Sequence, residues 1–343
     1  MSIQAVAAKA GVSVATVSRV FNFPDKVSGA TRDLVERAAR ELNYLPNASA
    51  RTLRTQRSRV LGVVLPTLLN PTFAECLQGI AQAAVAGGYA IIPVTTGYKL
   101  DEEERAVHML LAGNVDGLIL VVSNPSTSKA LERLRAQRVP YVLAYNRHPA
   151  HPCVTVDNEA AVADAVARLV LLGHRRIAMV SGTLAASDRA QQRYRGYQKG
   201  MADAGLKPQP LVEVPFVESA VERLARLLQL RHRPSALVCS NDLLAIRSIR
   251  AAHRSGLAVP ADLSVIGFDG IALGEDLTPA LSTIAQPNSD IGRHGVELLI
   301  QAMAAGGALD ADADADASLL LPHVFRDGES CAAAPDGDPG DIA

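Results

Sequence analysis

Residues 3–22 of the chain read IQAVAAKAGVSVATVSRVFN. Apolar side chains recur at helical spacing, and Gly11 follows where a C-cap glycine is expected, which predicts a first helix over 3–10. Ser13 can cap a second helix over 13–21. The apolar face of that second helix would consist of Val12, Val17 and Val20. Two short helices joined by a glycine-containing turn form the helix-turn-helix pattern.

In a helix-turn-helix, the second helix enters the major groove of DNA, so its exposed face predicts the contacts. Arg19 can bind guanine O6 and N7 together, whereas Val14 and Ala15 offer apolar contact to thymine methyl groups. Hydroxyl groups and backbone amides at the helix start suit phosphate. The predicted DNA-binding residues of this helix are Ser13, Val14, Ala15, Thr16, Ser18 and Arg19. Spacing alone leaves one alternative open, a three-helix bundle with a solvated basic face.

A third helix completes the N-terminal unit. Thr31 can cap it, and it would run to about Leu42. Its predicted apolar face consists of Leu34, Ala38 and Leu42.

Charge is divided unevenly along the chain. The 343 residues contain 34 Lys and Arg and 35 Asp and Glu, so the formal net charge is −1. Up to Arg59, however, ten basic residues stand against four acidic ones, a net charge of +6 that leaves −7 for the remainder. A basic head on an acidic body indicates a nucleic acid or another polyanion as the partner of the head.

Composition narrows the class of protein. No apolar run reaches the roughly 18 residues that span a bilayer, and no leader peptide opens the chain, so we expect a cytoplasmic protein without a membrane partner. Four scattered cysteines argue against a disulfide framework and a zinc ribbon. We expect no cofactor and no metal ion, because the nearest cluster, His148, His151 and Cys153, lacks a clear fourth ligand.

Beyond Arg59, β-branched runs alternate with helical segments, which indicates an α/β fold with parallel sheets. Predicted strands cover 60–65, 90–95, 117–122, 141–145, 154–156, 177–180, 237–239 and 265–268, and predicted helices cover 73–86, 102–112, 159–172, 193–204 and 242–255. This is more than one sheet holds comfortably, so we expect two α/β lobes. Ligands of such sheets bind at the carboxyl ends of strands, where polar residues follow most of these runs.

The motifs of the head continue into a collinear set that resembles the LacI/GalR family of bacterial transcription regulators. The resemblance covers about residues 2–325. Besides residues 3–22 it rests on Val27-Ser28, Leu42-Asn43-Tyr44, Pro46-Asn47, Ala50-Arg51-Thr52-Leu53-Arg54, Gly173-His174-Arg175-Arg176-Ile177 and Ser264-Val265-Ile266-Gly267-Phe268-Asp269.

The resemblance implies a homodimer, or a tetramer, on double-stranded DNA with a pseudo-palindromic operator. It also implies a hinge helix that wedges Leu53 into the minor groove and kinks the DNA, bringing more backbone within reach of basic residues. The DNA-binding positions that match this hinge are Asn47, Ala50, Leu53 and Arg54. The pair Val14-Ala15 resembles galactose- and ribose-type regulators, which implies an A/T-rich palindrome with a central CG.

The resemblance further implies a body like the periplasmic sugar-binding proteins, with a small-molecule effector between its lobes. The effector positions are Asn70, Thr72, Phe73, Asp188, Arg189, Arg193, Asn241, Asp269 and Gln286. Arg193 matches an arginine that holds ligand hydroxyls or carboxylates, and Asp269 matches an acid that accepts from sugar hydroxyls. The alternative for Asp269 is that it only satisfies loop amides.

Arg189 leaves the effector class open. It precedes Arg193 by one helical turn, and two arginines at one cleft would favour an anionic effector such as a sugar acid or another carboxylate. Alternatively Arg189 pairs with Asp188 or with Glu159 at the surface, and then it gives no reason to favour an anionic effector. Whether the effector induces or co-represses is also open.

These inferences divide the chain into a helix-turn-helix domain over 1–45, a hinge and linker over 46–59, an effector-binding and dimerisation domain over 60–328 and a disordered tail over 329–343. Lobe crossovers are expected near 157–159, 286–289 and 308–318. The function expected is transcription regulation, as a repressor of a catabolic or transport operon and without enzymatic activity. Two rival classes are a periplasmic-type sugar-binding protein and a sugar-modifying enzyme, but no catalytic motif is evident.

Overall fold

The computed structural model describes residues 1–44, 57–216, 220–305 and 318–335. The chain divides into two compact units, Met1–Ser58 and Arg59–Ala343. The hinge positions Asn47, Ala50, Leu53 and Arg54 lie outside the described residues, as do residues 306–317 and 336–343.

The N-terminal unit is helical, with α1 (Ile3–Ala10), α2 (Val14–Asn22) and α3 (Gly29–Glu41). They enclose one small apolar core of Val6, Ala7, Ala10, Val17, Val20, Val35, Ala38 and Ala39. The unit therefore has its own hydrophobic interior.

Two details of α3 differ from the prediction. Ser28, not Thr31, caps the helix, because the Ser28 hydroxyl accepts a hydrogen bond from the Thr31 backbone N–H. Leu34 is 41% exposed, whereas Val35 is fully buried. The buried face starts at Val35 because that residue, with Ala38 and Ala39, has the i, i+3, i+4 spacing of one helix side.

The second unit contains two six-stranded sheets, which confirms the α/β fold class. Its strands are β1 (Val60–Leu65), β2 (Ala90–Thr95), β3 (Gly117–Leu120), β4 (Tyr141–Ala144), β5 (Cys153–Val156), β6 (Ile177–Ser181), β7 (Val212–Glu213), β8 (Ala236–Cys239), β9 (Ser264–Asp269), β10 (Ser282–Ala285), β11 (Leu319–Leu321) and β12 (Val324–Arg326). Its helices are α4 (Pro71–Ala86), α5 (Leu100–Ala112), α6 (Lys129–Ala136), α7 (Asn158–Leu171), α8 (Asp188–Asp203), α9 (Val221–Leu228), α10 (Asp242–Arg254) and α11 (Asn288–Ala304).

The first lobe is built on the sheet with strand order β11-β5-β4-β3-β1-β2, in which all pairs are parallel. The second lobe is built on the sheet β12-β10-β9-β8-β6-β7, where only the β10–β12 pair is antiparallel. Each sheet separates two apolar clusters, so helices cover both faces of each sheet.

The chain passes between the lobes three times: after β5, after β10 and between β11 and β12. The third passage lies at residues 322–323. Of the crossover expected near 308–318, residues 308–317 lie outside the described residues. Helix α11 and strand β11 both belong to the first lobe.

Residues 329–335 correct the predicted disordered tail. Ser330 is fully buried, and its hydroxyl donates to the Val265 carbonyl at 2.6 Å. The Ala332 carbonyl lies 3.1 Å from His174 Nε2, and the Ala334 N–H donates to the Leu172 carbonyl. This segment is part of the second lobe because its polar groups complete hydrogen bonds at the start of the central strands.

Candidate functional site

The N-terminal unit presents α2 as a capped helix with an exposed outer face. Gly11 has φ +63°, a left-handed conformation that glycine adopts without strain, and it ends α1. The Ser13 hydroxyl accepts from the Thr16 N–H at 3.1 Å and lies 2.9 Å from the Thr16 hydroxyl. These bonds fix the first turn of α2.

The six predicted DNA-binding residues of α2 share this helix, but they are not equally free. Ser13, Val14, Ala15 and Arg19 are exposed, whereas Thr16 and Ser18 are half-buried. The Ser18 hydroxyl accepts a hydrogen bond from Asn22. The exposed set therefore combines one guanidinium with two small apolar side chains and one hydroxyl at the helix start.

In the second unit, strand ends from both lobes meet around one cavity. Its lining contains eight of the nine predicted effector residues, namely Asn70, Thr72, Phe73, Arg189, Arg193, Asn241, Asp269 and Gln286. The ninth, Asp188, is not part of the lining. The structure therefore brings together positions separated by more than 200 residues of sequence.

Asp269 lies at the centre of this lining. It ends β9 with φ +119°, a strained conformation that a non-glycine residue adopts only when its surroundings impose it. Its carboxylate accepts from Gln286 at 2.8 Å, Asn70 at 3.3 Å and Arg193 at 3.4 Å. Burial raises the pKa of Asp269, and the charge of Arg193 acts in the opposite direction.

Arg193 is the cationic partner of Asp269 and is itself buried. Its Nε donates to Asn158 Oδ1 at 2.8 Å, and its Nη1 donates to the Ser240 carbonyl. The guanidinium lies 3.5 Å from the centroid of the Phe268 ring, a cation–π contact. Burial lowers its pKa to about 10, so it stays charged at neutral pH.

Two amides add neutral hydrogen-bonding groups to the cavity. Asn241 accepts from the Leu244 N–H at 2.8 Å and so caps α10, which leaves its amide nitrogen as a donor. Gln286 donates to Asp269, and its Oε1 is buried without a partner among the residues described. The site thus offers both donors and acceptors to a ligand.

Three aromatic residues of the lining were missed by the sequence analysis. Tyr98 of the first lobe stacks on Phe216 of the second, with ring centroids 4.7 Å apart. Tyr145 contacts the predicted Phe73 edge to face at 5.6 Å. Phe216 lies where a Cβ on Gly182 would be, 2.1 Å from the nearest ring atom, so the glycine makes room for the ring. Tyr98 and Phe216 lie in loops, where no periodic signal marks them.

The cavity is small in this structure. Its volume is about 30 Å³, enough for two or three water molecules, whereas sites for small ligands measure roughly 300 Å³ or more. A sugar-sized ligand therefore enters only when the lobes separate or the Tyr98–Phe216 pair moves.

Asp188 does not contact the cavity, which corrects its prediction as an effector contact. Its carboxylate instead accepts from Asn146 Nδ2 at 2.6 Å, Arg189 Nη1 at 3.0 Å and Gln192 Nε2 at 3.2 Å. Arg189 pairs with Asp188 and not with Glu159, whose partner is Arg195. Of the alternatives for Arg189, the structure therefore supports pairing within the protein.

His151 and Cys153, two of the three residues considered for a metal cluster in the sequence, contact other side chains of the protein. His151 Nδ1 lies 2.6 Å from the Tyr141 hydroxyl, and the Cys153 thiol contacts the Ser318 hydroxyl at 3.4 Å. Within the described parts of the chain, no group of three metal-ligating side chains occurs. No helix in those parts is long and apolar enough to cross a membrane.

Comparison with known proteins agrees with this architecture. The family profile described as "Bacterial regulatory proteins, lacI family" matches residues 2–47, and the one described as "Periplasmic binding protein-like domain" matches residues 166–331. The HTH-type transcriptional repressor CytR of Escherichia coli (strain K12) is 36% identical over 303 residues, 87% of this chain and 88% of its own length. The HTH-type transcriptional repressor PurR of Aliivibrio salmonicida is 33% identical over 307 residues, 88% of this chain and 91% of its own.

Solved structures are similar as well. A crystal structure of the lac repressor dimer bound to operator and the anti-inducer ONPF matches with a TM-score of 0.84 and 29% identity, over 97% of this chain and 99% of that chain. A helix-turn-helix head, a two-lobed body and relatives of nearly full length together show that the chain belongs to the LacI family of bacterial transcription regulators, which bind DNA and carry an effector-binding domain.

Proposed function

We propose that this regulator represses a catabolic or transport operon and responds to a neutral polyhydroxylated compound of the sugar class. The proposed effector class rests on one observation: both arginines of the cavity pair with buried carboxylates of the protein. Arg193 pairs with Asp269, and Arg189 pairs with Asp188.

A site whose charges are already paired does not favour a charged ligand. An anionic effector would have to compete with Asp269 for Arg193 or with Asp188 for Arg189, leaving a carboxylate buried without its partner. A hydroxyl group, in contrast, can donate to Asp269 while accepting from Arg193. Adjacent sugar hydroxyls can therefore bind Arg193 and Asp269 while these two residues stay paired.

The aromatic part of the lining supports the same class. Phe73, Tyr98 and Phe216 line the same cavity as Arg193 and Asp269. A pyranose or furanose ring has C–H groups that pack on such surface and hydroxyls that reach the polar groups. A relative in the family, the regulator CelR, has been solved as a cellobiose complex at 27% identity and a TM-score of 0.69.

A thermal-shift panel tests the effector class. Neutral mono- and disaccharides and methyl glycosides are compared with the matching sugar acids and sugar phosphates, since a ligand that binds only the native state raises the Tm. We expect a rise with at least one neutral compound and none with its acid. A rise only with acids or phosphates would refute the neutral class, and the Asp269→Asn variant controls for binding elsewhere.

For the head, we propose that α2 reads the operator. Arg19 would contact guanine, Val14 and Ala15 thymine methyl groups, and Ser13 and Thr16 phosphates, with Ser18 beside them. The operator expected is an A/T-rich palindrome with a central CG. The hinge residues Asn47, Ala50, Leu53 and Arg54 would contact its centre, where Leu53 is the wedge in the minor groove.

A gel shift on such a palindrome tests this assignment. Arg19→Ala should weaken binding by about tenfold or more for each half-site of the palindrome, because the homodimer loses one bidentate base contact in each, and Leu53→Ala should also weaken it. Lys99→Ala, a change on an exposed basic residue of the body, is the matched control. No shift by the native chain at about 100 mM salt would refute operator binding.

We also propose a homodimer that uses the first lobe. Strand β2 is the edge of its sheet, and Ile92 on it is exposed. Leu69 is 71% exposed and Val85 on α4 is 74% exposed, which a monomer would leave in water. Val85→Glu with Ile92→Glu should convert dimer to monomer in sedimentation, whereas Leu171→Glu on the second lobe should not. A native chain that sediments as a monomer would contradict the proposal.

This function places the chain in the cytoplasm, where its operator is, and requires no catalytic step. Its relatives are regulators, which supports a binding protein.

A further inference from the structure

A buried polar cluster at the edge of the cavity joins the two lobes. It consists of Asn146 and the main chain of Val122 and Ser123 in the first lobe, and of Asp188 and Arg189 in the second; we call it the Asp188 cluster. Each of its side chains is less than one-tenth exposed. None of the crossover segments passes through it, so its bonds are additional links between the lobes.

Three hydrogen bonds of the Asp188 cluster cross from one lobe to the other. Asn146 Nδ2 donates to Asp188 Oδ1 at 2.6 Å, the Asp188 N–H donates to the Ser123 carbonyl at 2.7 Å, and Arg189 Nη1 donates to the Val122 carbonyl at 3.0 Å. The first residues of α8 therefore bind the segment that follows β3 and the side chain that follows β4.

The first-lobe side of the cluster is held rigidly. Asn146 bonds to both backbone groups of Val122, accepting from its N–H and donating to its carbonyl, each at 2.9 Å. Glu103 of α5 accepts from the Ser123 N–H at 2.8 Å and from its hydroxyl at 2.6 Å. Because these bonds lie within the first lobe, they do not require the second lobe, and forming the bonds between the lobes should cost little further ordering.

Asp188 is the residue on which the cluster converges. It accepts from Asn146 across the lobes and from Arg189 on its own helix, and Arg189 in turn lines the cavity. The Asp188 backbone bond to Ser123 persists with any side chain, whereas the Asn146 bond requires an acceptor at residue 188. Asn146→Ala therefore removes this lobe-crossing bond and leaves Asp188 paired with Arg189, whereas Asp188→Ala also releases Arg189, which itself bonds to Val122 across the lobes.

We propose that Asp188 is a positioning residue: through Asn146 it holds the two lobes closed, and through Arg189 it fixes one wall of the effector cavity without touching the effector. Asp188 therefore has two roles. Its oxygen accepting from Asn146 closes the lobes, and its charge holds the Arg189 guanidinium in place.

The role of Asp188 in lobe closure is tested by measuring the distance between the lobes in the full-length chain. Lys129→Cys on α6 and Lys199→Cys on α8 provide exposed spin-label sites in opposite lobes. Cys331→Ser removes the half-buried native thiol, and Cys76, Cys153 and Cys239 are buried. Distance distributions from pulsed dipolar spectroscopy then report closed and open molecules, with no effector required.

We expect the native chain to show mainly the short distance. Asp188→Ala and Asn146→Ala should each lower the ratio of closed to open molecules by about tenfold, the effect of losing a strong buried hydrogen bond. The double variant should open the lobes no further than Asp188→Ala alone. Asp188→Asn keeps an acceptor for Asn146 and should open the lobes less than Asp188→Ala. Glu159→Gln, which breaks the exposed pair with Arg195, is the control and should retain the native distribution.

Two results would overturn the proposal. One is a native distribution in Asn146→Ala, a variant that leaves Asp188 and Arg189 paired and so tests the idea even if Asp188→Ala fails to fold. The other is additive opening in the double variant, which would mean that the two residues act separately. Neither result depends on the effector class, so a failure here is distinct from a failure of the neutral-sugar proposal.

Discussion

Replacing Asp269 by asparagine changes one buried charge and little else in shape. Asn can still accept one hydrogen bond from Gln286 or Asn70, but it cannot neutralise Arg193. The guanidinium would keep its two neutral acceptors, Asn158 and the Ser240 carbonyl. It would also remain close to Arg189, whose charge lowers its pKa.

The expected loss of stability follows from the contacts that Arg193 keeps. Breaking a buried ion pair by removing one partner costs about 3–5 kcal/mol. The 3.4 Å separation and the two remaining acceptors place Arg193 at the lower end of this range. We therefore expect Asp269→Asn to lower the free energy of unfolding by about 3 kcal/mol and the Tm of the body by about 6 °C.

Urea denaturation of the full-length chain, followed by circular dichroism, measures the change. The control is Glu159→Gln, because its pair with Arg195 is exposed and should contribute less than about 1 kcal/mol. A second variant, Arg193→Leu with Asp269→Asn, removes the unpaired charge and should recover part of the loss.

A change of less than about 1 kcal/mol in Asp269→Asn would refute the reasoning, because Arg193 would then not depend on its carboxylate. Equal losses in the single and double variants would show that the cost comes from the asparagine itself and not from the stranded guanidinium.

Three further results are expected. Burial raises the pKa of Asp242 from its ordinary 3.8 to about 7, so between about pH 4 and 7 this carboxyl holds a proton in the native chain that it has lost in the unfolded chain. The stability that Asp242 contributes is therefore lost as pH rises through this range. The Tm of Asp242→Asn should rise relative to that of the native chain over the same range, and a Tm difference that does not change with pH would contradict the assignment. Gly196→Ala should lower the free energy of unfolding by about 1–3 kcal/mol in urea titrations, because the added Cβ would lie 2.2 Å from the Glu159 carbonyl oxygen. Gly205→Asn, at a turn with open space around it, should leave the free energy of unfolding nearly unchanged. Ser13→Ala and Ser28→Ala each remove a helix cap worth about 1 kcal/mol of stability. Only Ser13→Ala should weaken operator binding by more than its effect on the stability of the head. Equal losses of operator affinity in the two variants would argue against α2 as the helix that reads the operator.

The alternation of short β-branched runs with helical segments was sufficient to predict most strands. Strands β1 and β2 match their predicted bounds because each is a run of β-branched and apolar residues beside a helix-period segment. Helix α11, in contrast, was not predicted. It contains Gly292 and Gly295, which lower helix propensity, yet Gly292 lets α11 approach α4 until a Cβ would lie 2.2 Å from the Cys76 carbonyl. Tertiary packing, which local sequence does not encode, stabilises it.

The cavity was predictable where a residue follows a strand and less so elsewhere. Asn70, Asn241 and Asp269 all stand at strand ends. Phe216 follows β7, a strand of only two residues that gives no periodic signal. Asp188 was assigned to the cavity from its neighbourhood to Arg193, but α8 starts at residue 188 and the first turn points its carboxylate to Asn146 instead.

The most direct test of the account is the affinity for the operator with and without the effector. The palindromic duplex is titrated by fluorescence anisotropy in the presence of the neutral sugar that raises the Tm. Coupling between two sites changes affinity by roughly 5–150-fold. We predict a change of at least about fivefold in the native chain and none in Asp269→Asn. An operator affinity that the bound sugar leaves unchanged in the native chain would contradict the claim that the cavity controls DNA binding.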